Sequence, residues 1–144
     1  MRPGREQREG YVRWERVPTR WSDNDAYQHL NNVVYYSLFD TVINRVLIEG
    51  GALDIAGSPV IGLMVESGCR YFASLAYPEE VEVGLRVGHI GRSSVRYEAA
   101  AFRVGAAEAA AQGFLVHVYV DRATQRPVAL PERLQAVLEL LVRG

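Results

Sequence analysis

The sequence predicts an α+β fold in which an antiparallel five-stranded sheet wraps around one long central helix. Residues 32–49 carry apolar side chains at helical spacing over most of the helix surface, so this helix needs other elements to cover it on several sides. Five further segments have strand-like patterns, and four of them follow the helix as a group. Strands grouped after a helix favour an α+β fold over alternating βαβ units.

The first two elements are a strand and the central helix. Apolar and charged residues alternate in part from Tyr11 to Trp21, which predicts the first strand. The helix is predicted from Asn32 to about Glu49, and Gly50-Gly51 ends it. Its apolar face consists of Tyr35, Leu38, Phe39, Val42 and Val46.

Four strands and a short helix complete the predicted order. The segment from Pro59 to Ala76 is rich in β-branched and aromatic residues, and residues 81–87 alternate cleanly between apolar and polar. Residues 95–101 and 114–120 continue the same alternation. Pro131 opens a segment with the pattern of a closing helix.

Length and charge set the broad class of the protein. A chain of 144 residues fits one compact domain, predicted over residues 11–144, with residues 1–10 as a disordered N-terminal arm. The formal net charge of −1 predicts neither nucleic-acid nor membrane attraction. The opening residues lack the apolar core of a signal peptide, and no later segment has a long apolar run, so a cytoplasmic location is expected.

Metal and disulfide chemistry is not expected. Cys69 is the single cysteine, and no Cys/His grouping has the spacing of zinc ligands. The Asp-x-Asp at residues 23–25 resembles the start of a calcium loop, but Gln28 occupies its glycine position and Val34 its closing acid. His89 and His117 fall within predicted strands without ligand spacing and are interpreted as structural.

The polar segment before the central helix holds the candidate catalytic residues. Asp25 lies just ahead of the helix start, where unpaired backbone N–H groups can stabilise a developing oxyanion. Asn31 and Asn32 stand at that start, where an Asn side chain caps a helix well. His29 could orient Asp25 or contact a substrate. A simpler interpretation, that Asp23 and Asp25 only stabilise a turn, is also open.

Other routes to ester cleavage have no support in the sequence. There is no Gly-x-Ser-x-Gly, so an α/β-hydrolase nucleophile is missing. Neither Cys69 nor any serine stands in a recognisable triad setting.

Residues 23–35 resemble the active-site segment of the hot-dog-fold acyl-CoA thioesterases, the 4-hydroxybenzoyl-CoA thioesterase-like family. That family has two aspartates, a glycine and a tyrosine at this spacing before its central helix. The matching positions are Asp23, Asp25, His29, Asn31, Asn32 and Tyr35. Residues 91–94 and 113–121 are similar to later strands of the same fold, so the resemblance covers roughly residues 11–141.

The resemblance implies an acyl-CoA thioesterase with a hot-dog fold and no cofactor apart from the coenzyme A of its substrate. Asp25 would act as general base or as nucleophile, and the N–H near Asn32 would polarise the thioester carbonyl. Arg92, Ser93 and Ser94 would lie near the pantetheine or the CoA phosphates, although an ordinary hairpin turn is an equal interpretation. The other expected substrate contacts are Tyr27, Gln28, Asn31 and Tyr35. A homodimer or homotetramer is implied, with active sites between subunits.

One position departs from the family pattern. Gln28 stands where the family has glycine, a residue that lets the chain pass close to the thioester. This departure keeps a non-catalytic acyl-CoA-binding protein open as an alternative. A hot-dog dehydratase or hydratase is the other alternative, because Asp25 and His29 could mimic its acid and histidine.

Overall fold

The computed structural model describes residues 4–142 of the chain. All five strands form one antiparallel sheet in the order β1-β3-β4-β5-β2. The elements are β1 (Arg13–Pro18), α1 (Asn32–Glu49), β2 (Val60–Tyr71), β3 (Glu80–Ile90), β4 (Ser94–Arg103), β5 (Ala111–Asp121) and α2 (Glu132–Glu139). This arrangement confirms the predicted α+β class and the hot-dog architecture.

The central helix α1 packs on the inner face of the sheet. Phe39 and Ile43 are completely buried, because the apolar face predicted from the sequence points at the strands. Alternate residues of the strands, among them Leu85, Tyr97 and Leu115, form the other half of this core. Each such side chain contributes roughly 1.5–3 kcal/mol through its removal from water. The core therefore fixes where α1 begins, and with it the position of the preceding loop.

Strand β2 forms one edge of the sheet and leaves apolar side chains in contact with solvent. It pairs only with β5 among the described strands, and its register shifts between Met64 and Glu66. Leu63, Met64 and Val65 are all exposed. A long apolar strand edge is a surface on which another strand can pair.

Residues 4–10 lie across the outer face of the sheet and are not the disordered arm expected from the sequence. The guanidinium of Arg86 donates to the carbonyl of Gly10 at 2.9 Å and to carboxylate oxygens of Glu98 at 2.8 Å and Glu6 at 3.3 Å. The N–H of Arg8 donates to the carbonyl of Ala107 at 2.9 Å. These long-range partners have no local sequence signal. Residues 1–3 of the predicted arm lie outside the described residues.

We expect the outer-face carboxylate of Glu98 to make folding stability depend on acid. Burial raises the pKa of Glu98, but hydrogen bonds from Arg86 and Arg96 outweigh it, so the pKa lies below its ordinary value of 4.5. Its stabilising contribution is therefore present above about pH 4.5 and is lost as the pH falls below that value. Glu98→Gln should lower the free energy of unfolding at pH 7 by about 1–3 kcal/mol.

Urea unfolding at several pH values between 7 and 3 tests this expectation. The Glu98→Gln variant should lose less stability on acidification than the wild type does. Exposed Glu139 provides the control, since Glu139→Gln should leave the acid dependence unchanged. An identical acid dependence in Glu98→Gln and the wild type would contradict the assignment.

Candidate functional site

The loop before α1 is held in place by the buried carboxylate of Asp23. This side chain is 3% exposed and accepts hydrogen bonds from the backbone N–H of Arg20 at 2.8 Å and its guanidinium at 2.9 Å. The carbonyl of Asp23 accepts from the N–H of Asn31 at 2.9 Å. The two ends of the loop are thereby tied together directly at the helix start, so Asp23 has a structural role.

A second set of contacts fixes the loop to the segment that precedes β3. The N–H of Leu30 donates to the carbonyl of Leu75 at 2.8 Å. The side-chain oxygen of Asn24 accepts from the N–H of Tyr77 at 2.9 Å. The residues between these anchors, including Asp25, are therefore held against a rigid support.

Asp25 lies half-buried at the centre of this loop. Its Oδ1 accepts hydrogen bonds from the N–H of Tyr27 at 2.8 Å and of His29 at 3.4 Å. Its own N–H donates to the carbonyl of His29 at 2.8 Å. The second carboxylate oxygen has no hydrogen-bond partner among the described residues. The carboxylate thus stabilises a turn with one oxygen and leaves the other unpaired within residues 4–142.

The structure links Asp25 to the main chain of His29, and the exposed imidazole makes no hydrogen bond to the carboxylate. Tyr27, at 82% exposure, and Gln28 also point outward from the loop. The three side chains are therefore placed at the rim of the site.

The start of α1 leaves one backbone donor open. Asn31 caps the helix as expected, because its side-chain oxygen accepts from the N–H of Val33 at 3.1 Å. The N–H of Val34 donates to the carbonyl of Asn31 at 2.9 Å. Within the part of the chain that the structure describes, no acceptor is assigned to the N–H of Asn32. A free N–H at the first helical position, aided by the helix dipole, can stabilise a negative oxygen.

Gln28 adopts the backbone conformation that normally requires glycine. Its φ angle is +67°, in the left-handed region. The N–H of Gln28 donates to the carbonyl of Asp25 at 3.0 Å, which closes the turn around the carboxylate. The turn thus closes through a residue other than glycine, at the cost of strain at this residue.

Tyr35 supports the helix start from within the core. It is 3% exposed, and its ring packs edge-on against that of Tyr71 at a centroid distance of 5.3 Å. The hydroxyl of Tyr71 donates to the carbonyl of Asn32 at 3.4 Å. Tyr71 was not indicated by the sequence motif, since it lies on β2 and reaches the site only through the fold.

The turn that contains Arg92, Ser93 and Ser94 lies at the other end of the sheet from Asp25. The carbonyl of Ser93 accepts from the N–H of Tyr119 at 2.7 Å, and the carbonyl of Arg92 from that of Leu130 at 3.0 Å. Strand β3 separates this turn from the loop, and its 11 residues span roughly 35 Å. One chain alone therefore does not bring this turn to Asp25.

The described residues contain neither a metal-binding cluster nor a membrane-spanning helix. Over residues 4–142, no group of three or more His, Cys, Asp or Glu side chains is arranged to hold a metal ion. None of the helices in that range combines the length and the hydropathy that a membrane crossing requires.

Comparison with known proteins identifies similar structures. A family model of the thioesterase-like superfamily matches residues 19–138. The PA5185 protein of Pseudomonas aeruginosa is 51% identical in sequence, with a TM-score of 0.95, and the match covers 98% of this chain and 99% of that chain. No curated protein matches the sequence.

More distant structures share the fold. Slr0204 of Synechocystis, a 1,4-dihydroxy-2-naphthoyl-CoA thioesterase, is 13% identical with a TM-score of 0.79, and the match covers 87% of this chain and 93% of that chain. The dynemicin thioesterase is 16% identical with a TM-score of 0.83 and coverages of 91% and 97%.

The backbone strain at Gln28 generates a prediction about stability. Gln28→Gly should relieve the left-handed conformation and raise the free energy of unfolding by up to about 1 kcal/mol. Gln28→Val should lower it by about 1–2 kcal/mol, since a β-branched residue tolerates this conformation poorly. Chemical denaturation measures both. Gln125, with φ of +61° in an exposed turn, is the control and should respond similarly. A destabilised Gln28→Gly beside a stabilised Gln125→Gly would contradict the strain at Gln28.

Proposed function

Since this chain belongs to the thioesterase-like superfamily, we propose that it hydrolyses acyl-CoA thioesters to a free acid and coenzyme A. The observation that carries the proposal is the half-buried carboxylate of Asp25, in the loop that leads into α1: within residues 4–142, one of its oxygens and the N–H of Asn32 have no hydrogen-bond partner. The position of Asp25 in the motif supports placement in the 4-hydroxybenzoyl-CoA thioesterase-like family.

Asp25 can act in either of two ways. As a general base it takes a proton from water, whose oxygen attacks the thioester carbonyl carbon. As a nucleophile its oxygen attacks that carbon, the thiolate leaves, and water then cleaves the mixed anhydride. In both routes the C–S bond breaks and the thiolate gains a proton. The general-base route puts the water oxygen on the released acid, whereas the mixed anhydride puts it on the released acid or on Asp25, according to which carbonyl carbon water attacks.

The N–H of Asn32 serves the transition state in both routes. Negative charge develops on the carbonyl oxygen as the tetrahedral intermediate forms, and a fixed donor stabilises this charge without reorganisation. A single donor of this kind is worth roughly 10²–10³ in rate. The helix dipole adds to the stabilisation because the same end of α1 carries partial positive charge.

We also propose that the active unit is a homodimer joined through β2, with a homotetramer as a dimer of dimers. Antiparallel pairing of two β2 edges would place the Tyr71 end of one strand beside the Val60 end of its partner. The turn at residues 91–94 lies at that second end, as the bond from Tyr119 to Ser93 indicates. The partner's turn would then approach Asp25, where it could contact the pantetheine or phosphates.

The structure gives no support to the dehydratase alternative and weakens the non-catalytic one. A hydratase needs an imidazole that works with an acid. Here His29 contacts Asp25 through its main chain and not through its imidazole. Gln28, in place of the family's glycine, was the reason to consider a protein that binds acyl-CoA without hydrolysing it. Because Gln28 keeps the left-handed conformation, the turn around Asp25 is preserved.

Asp25→Asn tests the chemistry. Asparagine keeps an oxygen that accepts from the N–H of Tyr27, so the loop should persist while the charge is lost. We expect thiol release from acyl-CoA to fall by about 10³-fold or more, with acyl-CoA binding by calorimetry largely retained.

Asp121→Asn is the matched control for this test. Asp121 also accepts two backbone hydrogen bonds in a turn, from Ala123 and Thr124 at 2.9 Å, and its variant should hydrolyse normally. Wild-type thiol release by Asp25→Asn would remove Asp25 from the mechanism.

Val65→Arg tests the proposed interface. Val65 is exposed at the β2 edge. An arginine at this position would be buried in the proposed interface, so it should prevent strand pairing. Light scattering should show a multiple of the 16.1 kDa chain mass for the wild type and a monomer without hydrolytic activity for the variant. Val104→Arg, at a similarly exposed valine, should keep the assembly. A Val65→Arg protein of unchanged mass would refute the β2 interface.

A further inference from the structure

A cavity of about 440 Å³ lies on the helix side of the sheet, between the second half of α1 and strands β2 and β5. No residue of the loop at positions 23–32 lines it. Its volume is in the range of small-molecule sites, which are mostly apolar with a few convergent polar groups. The apolar walls are formed by Leu47, Leu53, Ile55, Val60, Ile61 and Met64.

Five polar side chains also line this cavity, and four of them have partners. The hydroxyl of Tyr119 is hydrogen-bonded to that of Tyr97 at 2.7 Å. The side-chain amide of Asn44 donates to the carbonyl of Asp40 at 2.8 Å and to its carboxylate at 3.1 Å. The guanidinium of Arg122 donates to the carbonyls of Ser58 at 2.7 Å and Ile55 at 2.8 Å. The fifth is His117.

His117 is a buried polar side chain without a hydrogen bond. It is 7% exposed, and within residues 4–142 no donor or acceptor is paired with its imidazole. Every fully enclosed polar side-chain atom in that range has a partner, so the ring nitrogens face the open space of the cavity. The imidazole is therefore available to hydrogen-bond a molecule that occupies the cavity.

The surroundings of His117 define the chemistry of that partner. Burial lowers the pKa of His117 more than the nearby charge of Asp40 raises it, so the imidazole is neutral near pH 7. The rings of Tyr97 and Tyr119 flank it, with centroids at 5.1 Å and 6.3 Å. A neutral imidazole has one donor and one acceptor. An uncharged hydroxyl, which can donate and accept, matches it.

Gly62 helps to shape this wall of the cavity. A Cβ atom at that position would lie 2.9 Å from the ring of Tyr119. The absence of a side chain therefore lets the Tyr119 ring lie against β2, where it borders the space beside His117.

We propose that this cavity holds the distal part of the acyl group and that His117 selects acyl groups that carry a hydroxyl there. The inference rests on the proposed thioester hydrolysis. Asp40 follows Asn32 by eight residues in α1, which is about 12 Å along the helix axis. The hydroxyl would thus be far from the thioester carbon, near the end of a medium-length chain. His117 is in this sense a specificity-determining residue.

The test compares decanoyl-CoA with its 10-hydroxy and 3-hydroxy derivatives. We expect the wild type to hydrolyse 10-hydroxydecanoyl-CoA with a kcat/KM about 10- to 100-fold above that of decanoyl-CoA, while the 3-hydroxy derivative gains nothing. His117→Phe keeps a flat ring without polar atoms. In this variant, the ratio of kcat/KM for 10-hydroxydecanoyl-CoA to kcat/KM for decanoyl-CoA should fall to about one. His117→Gln should recover part of the preference. His89→Phe, at an exposed position on β3, should retain it.

Calorimetry with free 10-hydroxydecanoate and decanoate separates this inference from the proposed function. Tighter binding of the hydroxy acid by the wild type, lost in His117→Phe, would support the cavity even if no thioester were hydrolysed. Thioester hydrolysis with equal kcat/KM for decanoyl-CoA and 10-hydroxydecanoyl-CoA in the wild type would overturn the role of His117 while the proposed function stands. That comparison uses the wild type alone, so it can be made even if the His117→Phe protein fails to fold.

Discussion

The buried carboxylate of Asp23 is the constraint on which the candidate site depends. It binds Arg20 at one end of the loop, and its own carbonyl holds Asn31 at the other. An unpaired buried carboxylate would cost several kcal/mol. The loop therefore adopts the closed conformation in which Asp23 reaches these partners. That closure fixes the loop that carries Asp25 directly ahead of α1. The two aspartates of the motif therefore differ in role. The buried Asp23 holds the loop in place, and the half-buried Asp25 lies within that loop.

In Asp25 the two carboxylate oxygens differ in their contacts, since one stabilises a turn and the other has no hydrogen-bond partner among residues 4–142. Its Oδ1 is occupied by the N–H groups of Tyr27 and His29, which fixes the direction of the whole carboxylate. The same turn requires the left-handed conformation at Gln28. Strain of this kind persists only where surrounding contacts over-determine the backbone, and the anchors from Leu30 to Leu75 and from Tyr77 to Asn24 provide them. The orientation of the carboxylate is thus maintained at the expense of local stability.

Local patterns in the sequence were sufficient to predict the elements but not their neighbours in space. The helix from Asn32 to Glu49 and the alternating strands follow from periodicity, and the Asn31 cap follows from residue type. The anchoring of residues 4–10 by Arg86 joins segments that are 76 or more positions apart, which no local pattern encodes. The contact of Tyr35 with Tyr71 and the open imidazole of His117 were missed for the same reason. The sequence around an apolar helix position does not indicate which ring it contacts. The sequence around a histidine in a strand does not indicate whether a cavity adjoins it.

The distance between the loop and the turn at residues 91–94 indicates what a single chain lacks. Strand β3 keeps the two apart, and no hinge motion shortens a strand that is hydrogen-bonded on both sides by β1 and β4. A binding site for a ligand as long as the proposed acyl-CoA would therefore need a second surface to complete it. The exposed apolar edge of β2 ends beside the start of α1, where Tyr71 touches Asn32. Covering that edge with a second copy would remove apolar surface from water and supply the missing end of the site. In the proposed dimer, the same strand edge would therefore link assembly to substrate binding.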